Sequence, residues 1–424
     1  MCFVTKVVWF YRIYRQVLKN LKIFCKWVLT SVAIGFIVGG VGCLFYFVLR
    51  FVTSFRGEHP WMVFFLPAAG LVIVFLYHIC KINEPKGTNL VITAVRSEEQ
   101  IPARMAPLIF ISTALTHLCG GSAGREGAAL QLGGSLGEWI AKVCRVKEEY
   151  KNVAIMCGMS AAFSALFGTP VAATIFAMEL VSVGVMYYTA LVPCAISSII
   201  ASLLAKHCGI VPESFTIIHT PGITAVSIVK VAALGVVCAG VSILLCYSLH
   251  TAGKLYKKYL PNQYVRAMAG GLLVVALAFV FRTQDYLGAG MNIIEESLQG
   301  DVRPQAFLLK ILFTAVTLGA GFKGGEIVPS FFVGATFGCV MGQLIGLEPS
   351  LAAAIGMMTV FCGVTNCPVT ALMMSFELFG FTTPSFFLIA IPISYMLSGY
   401  YSLYSAQRIV YAKTKPKYVN QKTH

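Results

Sequence analysis

The sequence predicts an all-α protein that crosses a membrane many times and consists of two related halves. Two features indicate this fold: long stretches without charge, and a pair of interrupted apolar segments that recurs in the second half. Of the 424 residues, 58% are hydrophobic and only 12% are charged. A soluble domain carries about 25% charged residues, because polar groups must cover its surface. The composition therefore excludes a soluble globular protein.

The uncharged stretches are long enough to cross a bilayer. Glu179 is the only charged residue between Lys151 and Lys206, and residues 378–407 contain none. Since a helix needs about 20 apolar residues to span the hydrocarbon core, each stretch can hold one or two crossings. With the other apolar stretches we expect about ten or more membrane segments, several of them too short or too interrupted for a plain span.

Both ends of the chain are basic. Residues 1–26 contain six basic side chains and no acidic one, interleaved with apolar residues, which predicts an amphipathic helix on the membrane surface. Basic segments beside membrane spans stay in the cytoplasm. We therefore expect both termini in the cytoplasm and the protein in the plasma membrane. The net charge is +15. Because the basic side chains lie beside membrane segments, we expect them to contact anionic lipid head groups rather than nucleic acid.

The two halves repeat a pattern. Residues 160–180 resemble residues 359–378, with a proline and a glutamate at matched positions: Pro170 and Glu179 in the first half, Pro368 and Glu377 in the second. Upstream of each, at 121–137 and 320–338, lie a glycine-rich break, a carboxylate and a small-residue helix. Transporters built from two repeats bind substrate near the midplane, between broken helices. We therefore expect the helix N-termini of the two halves to meet at an anion site.

These features divide the chain into five parts. The predicted parts are a cytoplasmic surface helix (1–26), a first membrane repeat (27–206), a linker (207–225), a second membrane repeat (226–407) and a short basic cytoplasmic tail (408–424).

The first interruption is Gly120-Gly121-Ser122-Ala123-Gly124-Arg125-Glu126-Gly127. Its glycines leave N–H groups free at the start of the next helix, where the helix dipole also favours an anion. No Gly-Lys-Ser/Thr ending or preceding strand indicates a nucleotide loop. Glu126 is a carboxylate within a membrane segment, which is costly and usually functional. Ionised, it can occupy the anion's place; protonated, it can swing away with a proton. Alternatively, it pairs with Arg125 and holds the loop.

The second interruption is Gly324-Gly325-Glu326-Ile327-Val328-Pro329, where the glycine pair and the proline open another helix. Glu326 is either a second functional carboxylate or a cap of its own loop. Thr88 and Asn89 follow Gly87 and precede an apolar run, a pattern that an ordinary helix start also explains. Tyr404 offers an O–H donor to an anion, but a tyrosine at the end of a span is more often an interfacial anchor.

The remaining polar residues of the apolar segments are interpreted as structural. His117, Glu179 and Glu377 are expected to be satisfied within the helix bundle. The fourteen cysteines and seven histidines show no metal-ligand spacing, so we expect no metal, no cofactor and no enzymatic activity.

Four segments, taken in chain order, resemble those of the CLC chloride channel and transporter family, and the resemblance covers nearly the whole chain. They are the turn at Thr88 and Asn89, the interruption at 120–127, the interruption at 324–329 and the segment around Tyr404. This resemblance implies a homodimer with one ion path per subunit and an inverted repeat. It implies that Glu126 is the gating and proton-coupling glutamate and that Thr88 and Tyr404 flank the central anion. The full set of implied anion-binding residues is Thr88, Asn89, Gly124, Arg125, Gly127, Gly325, Ile327, Val328 and Tyr404.

Three departures from the chloride members resemble the fluoride/proton antiporter branch. Thr88-Asn89 replaces a serine turn, Glu326 stands in the second motif, and Leu180 replaces the inner proton-transfer glutamate. That branch implies export of fluoride in one-to-one exchange for protons, which protects the cytoplasm from fluoride. A chloride/proton exchanger is the second interpretation, and a passive chloride channel, which needs no inner proton relay, is the third. Glu326 is expected to help load or store protons in place of the missing inner glutamate.

Overall fold

The computed structural model describes residues 2–82 and 85–424, with side chains from Arg12 onward. Within these residues the chain forms sixteen α-helices and three short strands. The helices are α1 (Cys2–Glu58), α2 (Leu66–Ile79), α3 (Thr88–Val95), α4 (Met105–Leu118), α5 (Glu126–Val143), α6 (Lys151–Phe167), α7 (Pro170–Glu179), α8 (Leu191–His207), α9 (Ala225–Tyr259), α10 (Gln263–Val280), α11 (Met291–Leu298), α12 (Ala306–Gly319), α13 (Ile327–Ile345), α14 (Pro349–Thr365), α15 (Pro368–Phe379) and α16 (Pro384–Leu397). The strands are β1 (Ser182–Val183), β2 (Arg408–Tyr411) and β3 (Tyr418–Lys422).

The helices fall into long spans and short pieces, which confirms the predicted all-α membrane fold. In the described part of the chain, six helical segments are long and apolar enough to cross a membrane: Arg12–Glu58, Pro60–Ile79, Tyr188–His207, Ala225–Tyr259, Gln263–Val280 and Ile327–Ile345. By contrast, α3 has 8 residues and α7 has 10. Ten residues rise about 15 Å, half of the bilayer core of about 30 Å. Such helices therefore end inside the membrane.

Helix packing follows the same order in both halves. Helix α5 packs against α4 and α6, and α13 packs against α12 and α14; across the halves, α2 packs on α10 and α7 on α15. Glycines allow the closest contacts. A Cβ at Gly158 would lie 2.0 Å from the carbonyl oxygen of Gly133, and one at Gly356 would lie 2.3 Å from that of Gly334. Small residues let membrane helices approach this closely.

The ends of the chain differ in detail from the predicted parts. Residues 1–26 are not a separate surface helix, because α1 runs without a break from Cys2 to Glu58. From Arg12 to Ile34 no proline or glycine is present to interrupt it. The predicted linker lies between the end of α8 at His207 and the start of α9 at Ala225. The tail, 408–424, is a β-hairpin: β2 pairs in parallel with β1 and antiparallel with β3.

Candidate anion site

The two glycine-rich interruptions meet in the structure. Gly124 and Gly325 form an isolated antiparallel β-bridge. The Gly124 N–H donates to the Gly325 carbonyl at 2.7 Å, and the Gly325 N–H donates to the Gly124 carbonyl at 2.6 Å. Because each glycine lies just before a helix, the bridge holds the N-termini of α5 and α13 side by side. The free N–H groups and positive dipole ends of both helices thus face one region.

Glu126 is the first residue of α5 and has no solvent exposure. Its carboxylate folds back over the start of its own helix: Oε2 accepts a hydrogen bond from the Arg125 N–H at 3.0 Å. The same oxygen would lie 2.7 Å from a Cβ built on Gly124. Its other oxygen, Oε1, is buried and accepts no hydrogen bond from any described residue. The carboxylate therefore lies where a helix N-terminus would bind a free anion.

Arg125 is surrounded by other protein groups. Its Nη2 lies 2.7 Å from Oε1 of Glu213, its Nε lies 3.4 Å from Oε1 of Glu126, and its guanidinium covers the Tyr46 ring at 5.1 Å. An anion reaching Arg125 would compete with both carboxylates. Sequence reasoning missed Glu213, because it lies in the linker and nothing in its neighbourhood along the chain indicates the contact.

Thr88 contacts the first turn of α5. Its hydroxyl donates to the Gly127 carbonyl at 3.3 Å. The Gln131 amide donates to the same carbonyl at 3.2 Å and lies 3.5 Å from the Thr88 hydroxyl. Gln131 was not among the predicted residues. The signal that could have identified it is an uncharged amide on α5 one turn after Gly127, facing the same side.

The Asn89 side chain holds a loop through its oxygen. Its Oδ1 accepts a hydrogen bond at 2.8 Å from the N–H of Ala406, two residues after Tyr404. Arg96, at the end of α3, donates to the carbonyl of the same alanine at 2.5 Å. Helix α3 is thereby tied to the loop that carries Tyr404. The resemblance implies an anion-binding role for Asn89, and its amide nitrogen, the donor atom, takes no part in this contact.

Tyr404 is only 1% exposed, so it is not an interfacial anchor. Its hydroxyl is buried and has no hydrogen-bond partner among the described residues. Glu126 and Glu326 are both close enough to interact electrostatically with it. Its backbone is fixed from two directions, because its N–H donates to the Ser402 hydroxyl at 3.1 Å and its carbonyl accepts from Thr423 at 2.7 Å. The loop thus holds a buried O–H donor that has no partner among the described residues and lies in the neighbourhood of both carboxylates.

Glu326 occupies the N-cap position of α13 but does not cap it. Its half-buried carboxylate forms no hydrogen bond or ion pair with the described residues. The first two residues of the helix, Ile327 and Val328, are buried. Their N–H groups belong to the first turn, which has no intrahelical acceptors. The start of α13 therefore combines free donors with an unpaired carboxylate.

The residues interpreted as structural have structural contacts. Glu179, at the end of α7, accepts from the N–H groups of Val369 and Thr370 at 3.1 and 2.8 Å and from the Thr370 hydroxyl at 2.6 Å. Glu377, in α15, accepts reciprocally from the N–H groups of Val171 and Ala172 at 2.9 and 2.8 Å. Each glutamate thus caps the helix that carries the other one.

His117 contacts the glycine bridge, and Leu180 is bonded to the Gln407 side chain. A ring nitrogen of His117, Nε2, lies 3.2 Å from the carbonyl oxygen of Gly124, inside the glycine bridge. Leu180 is fully buried, and its carbonyl accepts from the Gln407 amide at 2.8 Å. Within the described residues, no group of three or more His, Cys, Asp or Glu side chains could hold a metal ion.

Known proteins resemble this chain in sequence and in fold. Residues 69–399 match the family model described as voltage gated chloride channel. Over 400 residues the chain is 34% identical to a chloride/fluoride channel protein of Pseudomonas syringae pv. tomato, covering 93% of this chain and 88% of that protein.

The fold is that of solved CLC structures. A crystal structure of a CLC-type fluoride/proton antiporter matches with a TM-score of 0.88 and 34% identity, covering 91% of this chain and 98% of the other. A slow cyanobacterial Cl-/H+ antiporter shares the fold, with a TM-score of 0.75 at 16% identity, covering 88% and 94%. The chain therefore belongs to the voltage gated chloride channel family, the CLC family.

Proposed function

We propose that this chain is a secondary active transporter that exports fluoride from the cytoplasm in one-to-one exchange for protons. The observation that carries the proposal is the buried Glu126 carboxylate, which lies at a helix N-terminus where an anion would bind and has one oxygen without a hydrogen bond. The similarity to a fluoride/proton antiporter and to a chloride/fluoride channel protein supports the choice of ion.

Exchange follows from two states of Glu126. Ionised, its carboxylate is attracted to the start of α5 and excludes a free anion. Protonated, it loses that attraction and leaves the position to fluoride. The free N–H groups of Gly127, Ile327 and Val328 and the hydroxyl of Tyr404 then serve as fluoride donors. Because fluoride can occupy this position only while Glu126 carries a proton, the movements of the two ions are coupled.

Fluoride is smaller than chloride and holds its water more tightly, so its site must supply close, strong donors. The Tyr404 hydroxyl, which is unpaired among the described residues, is such a donor. The Thr88 hydroxyl becomes one when it turns away from the Gly127 carbonyl, to which it donates at 3.3 Å. Chloride/proton exchange is the alternative function, and the distant similarity to chloride antiporters favours it.

We further assign Glu326 as the inner proton carrier in place of the glutamate that Leu180 replaces. Its carboxylate is half-buried, lacks a partner among the described residues and interacts electrostatically with Tyr404. If the assignment is right, Glu326→Gln lowers the number of protons moved per fluoride. Full proton coupling in that variant would contradict it.

Proteoliposomes test the main proposal. The purified protein is reconstituted in vesicles loaded with fluoride or chloride, and a fluoride electrode and a pH dye record both fluxes together. We expect fluoride release to exceed chloride release and to drive protons inward. Chloride release equal to or faster than fluoride release would contradict the fluoride assignment, and anion release without proton movement would contradict antiport.

Glu126→Gln is the matching variant for the gate. A neutral amide cannot alternate between charged and uncharged forms, so we expect fluoride-driven proton movement to disappear. Normal coupled exchange in this variant would show that Glu126 is not the coupling residue.

A homodimer in the plasma membrane, with cytoplasmic termini, completes the proposal. The reciprocal caps between α7 and α15 lie at an apolar surface: Glu377 is half-buried, and its partner Val171 is 52% exposed. A carboxylate facing lipid is costly, so a second copy of the chain covers this surface. Mass photometry in detergent tests it, and a single peak at the monomer mass at every protein concentration would contradict it.

A further inference from the structure

The Arg125 guanidinium lies between two carboxylates and is closer to one of them. Its contact with Glu213 is 2.7 Å, the length of a charge-assisted hydrogen bond. Its contact with Glu126 is 3.4 Å, which is too long for such a bond. The nearer oxygen of Glu126 stays buried without a hydrogen bond from the described residues. Arg125 therefore donates to the linker carboxylate and holds the gating carboxylate only loosely.

Glu213 is held in place independently of Arg125. Its N–H donates to the carbonyl of Phe167, the last residue of α6, at 3.0 Å. Two residues later, the N–H of Phe215 donates to the carbonyl of Leu378 in α15 at 2.8 Å. The linker is thus bonded to helices of both halves. The backbone that carries Glu213 is therefore held without any contribution from Glu126.

Few other groups lie where they can accept a hydrogen bond from the Arg125 guanidinium. The side chain of Arg125 is 15% exposed, that of Glu213 is 22% exposed and that of Glu126 is not exposed. The ring of Tyr46 covers the guanidinium at 5.1 Å. If the Glu213 carboxylate were absent, Glu126 would be the carboxylate left beside Arg125.

We propose that Glu213 is a positioning residue that competes with Glu126 for Arg125 and so lets the gating carboxylate leave its place during each cycle. The inference rests on the proposed antiport, because it concerns the gate of that cycle. A freed Arg125 would donate to Oε1 of Glu126, and the tightened ion pair would have to break in every turnover. Glu213 does not touch the transported ion, so it acts on fluoride only through the Glu126 carboxylate.

The test compares fluoride flux of the full chain in proteoliposomes for wild type, Glu213→Gln and Glu213→Asp. We expect Glu213→Gln to lower the maximal rate by about tenfold, which corresponds to about 1.4 kcal/mol in the barrier. The apparent fluoride KM should rise, because the tightened Glu126 carboxylate occupies the anion's place more strongly, while the number of protons per fluoride and the thermal unfolding midpoint should stay at their wild-type values. Glu213→Asp keeps a carboxylate and should recover most of the rate.

Three outcomes would overturn the inference: an unchanged maximal rate in Glu213→Gln, a rate that falls while the fluoride KM stays at its wild-type value, or an aspartate variant as slow as the glutamine one. If the glutamine variant does not fold, Glu213→Ala replaces it under the same criteria. The rates are compared for whichever anion the wild type carries. Failure of the fluoride or antiport assignment would therefore appear in the wild type, separately from any failure of the Glu213 inference.

Discussion

Gly325→Ala tests whether the close approach of the two loops creates the anion site. A Cβ at this position would lie 2.6 Å from the Gly127 nitrogen and 2.9 Å from the Glu126 nitrogen, whereas ordinary contact begins at 3.4 Å. The loops must then separate by about 0.8 Å (3.4 minus 2.6 Å). Both hydrogen bonds of the bridge, now 2.6 and 2.7 Å long, would exceed the usual limit of about 3.2 Å.

The expected loss has two parts. The added methyl group covers the Gly127 N–H, and a hydrogen bond to a charged group contributes about 1.5–3 kcal/mol. Fluoride binding should therefore weaken by about 10-fold to 100-fold. Overpacking in a tight interior costs about 1–3 kcal/mol, so the unfolding midpoint should also fall.

Isothermal titration with fluoride and thermal unfolding in detergent measure the two effects. Gly240→Ala is the matched control, because it lies in α9 with no atom within 4 Å of the added Cβ. It should leave fluoride binding unchanged and should not lower the midpoint, because alanine favours a helix over glycine by about 1 kcal/mol. If Gly325→Ala bound fluoride within about twofold of wild type, the geometric argument for an anion site at this loop contact would be refuted.

Three more predictions concern the fold around the site. Gly133→Ala would put a methyl group 2.2 Å from the Gly158 carbonyl oxygen. The free energy of unfolding should then fall by about 1–3 kcal/mol, with a lower unfolding midpoint, and a midpoint equal to wild type would contradict the close packing. Glu179→Gln weakens the cap of α15 and should cost about 1–2 kcal/mol in thermal unfolding, and an unchanged midpoint would contradict the cap. Burial lowers the pKa of Lys413 to about 8 from its ordinary 10.5, so the folded protein loses this proton before the unfolded chain does, and stability should rise from about pH 8 to pH 10.5. Lys413→Met should remove that part of the rise between pH 7.5 and 9.5, and an identical pH dependence in the variant would contradict it.

The sequence was informative about features that are local along the chain. The glycine-rich breaks identified Glu126 and Glu326 at helix starts, and the structure places them at the first residue of α5 and at the N-cap of α13. The uncharged stretches predicted membrane helices for the same reason: the bilayer acts on each segment by its own composition.

Contacts between distant segments were beyond the sequence. The predicted separate surface helix at 1–26 is part of α1, and the 408–424 tail forms strands because β1 offers it a pairing edge. The hydrogen bond that the Asn89 oxygen accepts from Ala406, which follows it by 317 residues, was not predicted. Side-chain chemistry alone does not reveal which of two polar atoms meets a partner.

The membrane fold, its internal repeat and the two carboxylates at helix starts could therefore be read from the residues alone. These features follow from hydrophobicity, glycine and proline, which act over a few residues. Three further facts came from the folded arrangement: Gly124 bonds Gly325, the Tyr404 hydroxyl is buried and unpaired among the described residues, and Arg125 donates to Glu213. The physical reason is that hydrogen bonds and charge pairs depend on distances of a few tenths of an ångström, and packing between distant segments sets those distances.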